Sequence, residues 1–170
     1  MKTIAASMLV IVFSLSGCTS PPAPSTRVGV QVSEGSDADQ AAAVAAIQEA
    51  SRWWAQVGAE IHPDVVGDVM ISLWSEPEWL RHFPHGDGVG ETSPGDVCGV
   101  AVACIGVRLE IFRPYSAEEQ AQVAAHELGH AMGLSHVLTD PNAIMAPTVG
   151  GHERFGLTVA DAIEWMRVHP

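Results

Sequence analysis

The chain has 170 residues, enough for one domain with a substantial core, and nothing in its pattern asks for two. Its 8 basic residues stand against 20 acidic ones, a formal net charge of -12 at pH 7. So acidic a chain excludes nucleic acid and anionic lipid surfaces as expected partners, because both need clustered positive charge.

The first stretch reads as an export signal rather than as part of the domain. Lys2 is followed by a largely apolar run from Ile4 to Leu15, too short to span a bilayer comfortably. Leu15-Ser16-Gly17-Cys18 is similar to a bacterial lipobox, in which the cysteine becomes the lipidated first residue after cleavage. An ordinary signal peptide with a chance cysteine is the other reading. The expected boundaries are a signal peptide over 1–17, a lipidated Cys18 with a tether over 18–26, and one domain over 27–170. The Pro/Ser-rich segment from Thr19 to Ser25 cannot pack, and fully extended it reaches only roughly 25 Å. The domain is therefore expected in the cell envelope, close to the membrane that holds its anchor. Thr19, rather than Asp, after the cysteine leans towards the outer membrane in cells that have two. Lys2 is the only lysine, so loss of the leader leaves seven arginines against twenty acids.

Arg27 to Val32 alternates as a first strand. Ser36-Asp37 then opens an alanine-rich helix running to about Val57, with Val44, Ile47, Trp54 and Val57 as its apolar stripe and Trp53 half exposed. Gly67 to Trp74 contains a buried strand, Glu76 to Asp96 is rich in loop-forming residues, and Val107 to Phe112 reads as a further strand. Ser116-Ala117-Glu118-Glu119 is a capping box and starts a helix one residue later. Leu157 to Val168 carries the last helix. Between these elements, Cys98 and Cys104 are expected to form a disulfide after export, provided that Gly99 to Ala103 folds back as a loop. Free thiols or a metal pair are the other readings.

The helix that follows Ser116 carries His126-Glu127-Leu128-Gly129-His130-Ala131-Met132-Gly133-Leu134-Ser135-His136. On a helix His126 and His130 lie one turn apart on the same face, so both imidazoles reach one ion. Gly133 permits a sharp turn, and the turn brings back His136 as a third nitrogen ligand. Three neutral ligands leave the charge of a Zn²⁺ undiminished and one position open, the arrangement of a catalytic rather than a structural zinc. Glu127 follows a ligand directly, so it is rotated off the ligand face and stands beside the ion as a general base.

These residues resemble the H-E-x-x-H-x-x-G-x-x-H motif of the metzincin metallopeptidases. Ala143-Ile144-Met145-Ala146-Pro147 resembles the methionine turn of the same clan, and the segments around Gly133 and Met145 look most like its matrixin branch. Val137 and Ala146 stand where matrixins usually carry Ser and Tyr. The resemblance implies an α+β fold: a twisted, mostly parallel sheet with two long helices, active-site helix, methionine turn and a C-terminal helix. It also implies one zinc ion, Met145 as an apolar floor beneath the histidines, and Pro147, Thr148 and Val149 lining a substrate pocket. Asp161 corresponds to an aspartate that ties the last helix to the active-site region, although an ordinary helix cap would also account for it. His85-Gly86-Asp87-Gly88 is similar to a loop that holds a second zinc in matrixins, but Cys98-Gly99-Val100-Ala101 lacks the partner histidine, and a second zinc is not expected. His62, His82, His152 and His169 read as surface or core residues.

The activity implied is endopeptidase cleavage of a protein or peptide by a monomer. Two further readings are an inactive metzincin-fold lipoprotein that binds peptide or zinc, and a hydrolase of cell-wall amide cross-links.

Overall fold

Four of the helices start with one device. A Ser or Thr at the cap stands three residues ahead of an Asp or Glu whose carboxylate takes the cap's own N–H: Ser36 with Asp39, Ser75 with Glu78, Ser116 with Glu119, and Thr158 with Asp161. The computed structural model describes residues 27–63, 67–84, 88–148 and 155–170. The expected signal peptide, Cys18 and its tether, His85 to Asp87, Val149 and His152 lie outside the described residues.

The elements run β1 (Arg27–Ser33), α1 (Asp37–Trp54), β2 (Glu60–His62), β3 (Val69–Trp74), α2 (Glu76–His82), β4 (Gly90–Pro94), β5 (Ala103–Arg108), α3 (Leu109–Phe112), α4 (Ala117–Ala131) and α5 (Val159–Val168). The strands form one sheet in the order β2-β1-β3-β5-β4. Every pairing is parallel except that of β4 with β5. This is the mostly parallel, twisted α+β architecture expected, with α1 and α4 as its long helices. Among the described residues no helix is long and apolar enough to cross a membrane.

The core lies between the sheet and the α1/α4 pair. Small side chains let the two helices approach closely: Ala43, Ala46 and Ala50 on α1 and Ala121 and Ala125 on α4 are all buried. Trp54, fully buried, closes the end of this layer, and its indole N–H donates to the Ala125 carbonyl at 2.9 Å. A buried Trp needs such an acceptor, because an unpaired N–H in the core costs about 1–3 kcal/mol.

Three local expectations need correction. Trp53 is buried, not half exposed, at 8% accessibility, with its indole N–H on Glu49. It continues the row Ala46-Ala50 at helical spacing, so the buried stripe is wider than the Val44-Ile47-Trp54-Val57 line. The stretch from Glu76 to Asp96 is not mainly loop, since it holds α2 and β4. Pro77 in the first turn of α2, and Gly90 and Pro94 at the ends of β4, are loop-like in composition but compatible with a helix start and a sheet edge. Finally, the strand expected at Val107 to Phe112 is β5, which begins at Ala103 and gives way at Leu109 to a short helix. Its small residues hide it. At Gly106 an added Cβ would fall 2.6 Å from Trp74 Cζ3 and 2.8 Å from Phe83 Cε2, so the aromatic layer around α2 dictates the small side chain there.

Candidate active site

The capping box at Ser116 sets the phase of α4, and that phase turns His126 and His130 to one side. Helix α4 ends at Ala131, and Gly133 follows with φ 91°. There the Leu134 N–H bonds back to the Gly129 carbonyl at 3.0 Å, closing the helix in the left-handed turn that glycine adopts without strain. The turn carries the chain round to His136. It also turns the Leu134 carbonyl to His130, whose Nδ1 lies 2.9 Å away.

The three imidazoles converge through their Nε2 atoms. His126 and His130 are 3.1 Å apart at these atoms, and His130 and His136 are 3.2 Å apart. Two nitrogens bound at about 2.0–2.1 Å in a tetrahedral zinc site stand roughly 3.3 Å apart, so the spacing fits that ion. The tautomers fit too. His126 Nδ1–H donates to the Ile144 carbonyl at 2.7 Å and His130 Nδ1–H to the Leu134 carbonyl, which turns the Nε2 edge of each ring towards the common point. Burial, with His130 alongside, pushes the His136 imidazole down to about 4, so that ring is neutral near pH 7. Among the described residues this is the one group of three or more His, Cys, Asp or Glu able to hold a metal ion.

Glu127 is not in that group. It is buried beside it, and burial raises its carboxyl above the usual range, opposed by His130 and by a hydrogen bond from Thr92. Thr92 Oγ1 lies 2.6 Å from Glu127 Oε2. Its neighbour Glu91, half-buried on β4, is pushed up to about 7 by burial and then by Glu127.

The methionine turn packs under the last turn of α4. Met145 is fully buried, and an added Cβ on Gly129, the residue before His130, would fall 2.3 Å from its Sδ. The Met145 carbonyl takes the Val137 N–H at 2.7 Å, which binds the strand of chain after His136 to this turn. Helix α5 then holds both loops. Asp161, with no exposed surface, accepts from the Ile144 and Met145 N–H groups, each at 2.9 Å, while Glu164 accepts from the Ser135 N–H at 3.0 Å. The two readings of Asp161 are therefore both correct, since the same carboxylate caps α5 through the Thr158 N–H at 2.9 Å. His169 also has a partner, the Met132 carbonyl at 3.1 Å.

Pro147 and Thr148 follow the turn half-buried. Cys98 and Cys104 form the expected disulfide, with Cα atoms 6.0 Å apart. The fold-back it requires is the connection from β4 to β5, with Cys98 just after it leaves β4 and Cys104 inside β5. The strand at the sheet edge beside Glu127 is β4. Sequence reasoning missed Gly90, Glu91 and Thr92 there. A Gly-Glu-Thr-Ser-Pro run has little strand propensity, and the sole sequence signal was its bounding Gly and Pro.

The matrixin family model (Peptidase_M10) matches residues 39–168, well over half of the chain. No curated protein matches it. The matched span takes in nearly all of α1, four of the five strands, all three histidines and the last helix. By that extent of agreement the chain belongs to the matrixin family of peptidases.

Proposed function

We propose that this matrixin is a zinc-dependent endopeptidase that cleaves protein or peptide chains, with Glu127 as its general base. The observation that carries the reading is the convergence of three imidazole Nε2 atoms at 3.1 and 3.2 Å, with an acidic residue placed between two of these histidines in sequence. Zinc, when bound, supplies Lewis acidity, which polarises the scissile carbonyl and acidifies the attacking water. The rest is done by the chain. His126, His130 and His136 hold the ion, and the carbonyls of Ile144 and Leu134 orient the first two rings. Glu127 takes a proton from the water and returns it to the leaving amine. Burial raises that carboxyl above the usual range, which favours its holding the transferred proton.

Removing such a base costs about 10²–10⁴ in rate. Glu127→Ala should keep about one zinc per chain, as a residue outside the ligand set must, and lose that turnover on an unfolded protein substrate. A variant that cleaves at the parent rate would show that Glu127 is not the base. A parent that leaves protein untouched yet opens peptidoglycan cross-links would replace the substrate class.

We further propose export and anchoring in the cell envelope through a lipid on Cys18, on the strength of the apolar run and Leu15-Ser16-Gly17-Cys18. Cys18→Ser should move the protein out of the detergent phase with peptidase activity unchanged. A parent free in the medium with an unmodified N-terminal region rules the anchor out.

A further inference from the structure

On the sheet side, the edge strand β4 brings Gly90 and Thr92 against Glu127. Gly90 and Thr92 stand two residues apart on β4 and so face the same side. The register sets them opposite Val107 and Ile105 of β5, whose buried side chains lie on the face covered by the helices. Both stand against the same carboxylate, one beside each oxygen. Thr92 Oγ1 lies 2.6 Å from Oε2, and a Cβ on Gly90 would fall 2.7 Å from Oε1 and 2.9 Å from Cγ and Cδ. Thr92 Oγ1 is also 3.2 Å from the Glu127 carbonyl. A hydroxyl has one proton to give, and the shorter, charge-assisted contact to the carboxylate takes it.

A glutamate has rotatable bonds enough to swing its carboxylate by several ångströms, while a base must be held within about 0.5 Å of its working place. We infer that the edge strand β4 positions Glu127. Thr92 fixes the direction of the carboxylate by donating to Oε2, and the missing side chain of Gly90 is the space that admits Oε1. Thr92 is a positioning residue and acts only through Glu127. The inference rests on Glu127 being the base of a zinc peptidase.

The test uses the zinc-loaded protein with Thr92→Val, which keeps the shape and removes the hydroxyl, and Thr92→Ser, which keeps the hydroxyl. Displacing a catalytic group by about 1 Å costs up to 10²-fold, so Thr92→Val should lower kcat roughly 10- to 100-fold with little change in KM and the same zinc content. Thr92→Ser should recover most of that loss. Placed in a Glu127→Ala background, Thr92→Val should cost nothing further, because the group it acts on is gone. Crystal structures of the parent and Thr92→Val should show the carboxylate on Oγ1 in the first and displaced in the second. Full kcat in Thr92→Val, an equal loss in the Glu127→Ala background, or a carboxylate unmoved in the valine structure would each overturn the inference. Should the parent hydrolyse no peptide at all, the peptidase reading falls, and the two structures still decide whether Thr92 holds Glu127.

Discussion

Asp161→Asn is the most informative single change, because it alters one atom at the junction between α5 and the methionine turn. The parent carboxylate accepts four bonds: Met145 N–H on Oδ1, and Ile144 N–H, Thr158 N–H and the Thr158 hydroxyl on Oδ2. In the amide, one of those two atoms becomes a donor. The better orientation puts the NH₂ at the Oδ1 place, where it faces the Met145 N–H donor to donor. A buried N–H left without a partner costs about 1–3 kcal/mol, and the three remaining bonds lose their charge assistance, offset in part by no longer burying a charge. The net expectation is a loss of about 2–4 kcal/mol, a large share of the 5–15 kcal/mol typical of a domain. The damage should reach the zinc as well. The Ile144 carbonyl holds His126 Nδ1 at 2.7 Å, and loss of such an orienting partner weakens metal binding roughly 10- to 100-fold. Urea unfolding of the zinc-loaded protein, together with zinc competition against a chromophoric chelator, measures both effects. Thr158→Ala is the control: it removes a cap worth about 1 kcal/mol without touching the turn, so its zinc affinity should stay at the parent value. An Asp161→Asn protein that unfolds within about 0.5 kcal/mol of the parent and holds zinc equally well would refute the reasoning.

Gly129→Ala sets helix propensity against packing. Alanine favours the helix by about 1 kcal/mol, but its Cβ would meet Met145 Sδ at 2.3 Å and Trp54 Cζ2 at 3.1 Å, between fully buried side chains. Overpacking should win and leave a net loss on the order of 1 kcal/mol or more in urea unfolding, whereas a gain would show that the methionine turn yields freely. Asp39 predicts a pH effect. The Arg113 guanidinium, then Ser36, hold its carboxyl well below the usual range, against the opposing effect of burial. The stability this contributes is complete above the ordinary carboxylate pKa of about 4 and is lost as pH falls below it. Asp39→Asn should therefore show a shallower fall in urea midpoint from about pH 4 downwards than the parent, and parallel curves would remove Asp39 from the acid limb.

What could be read along the chain was what local spacing decides. His126, Glu127 and His130 take their relative places from one helix, and His136 from a six-residue turn whose geometry Gly133 permits. Ser116 with Glu119 marked the start of that helix for the same reason, as both partners lie within one turn. Family resemblance supplied the rest of the architecture, including the parallel sheet. The places where sequence reasoning failed are those where the partner lies far away. β4 is a strand because β5 pairs with it, not because Gly-Glu-Thr-Ser-Pro favours extension, so its propensity was no guide. β5 was misplaced because its Gly106 answers to Trp74 and Phe83, residues of other elements. Trp53 was taken as half exposed because the width of a buried stripe depends on what covers the helix. His130 is held by Leu134, four residues on, but similar long separations divide Glu127, His126 and the methionine turn from the groups that hold them. Thr92 is 35 residues from Glu127, Asp161 is 17 from Ile144, and Ile144 is 18 from His126. A helix satisfies its own hydrogen bonds and announces its side chains by their period, whereas a strand edge or a buried carboxylate is satisfied only by the fold. The three histidines are thus local in origin, and the placement of Glu127 is tertiary.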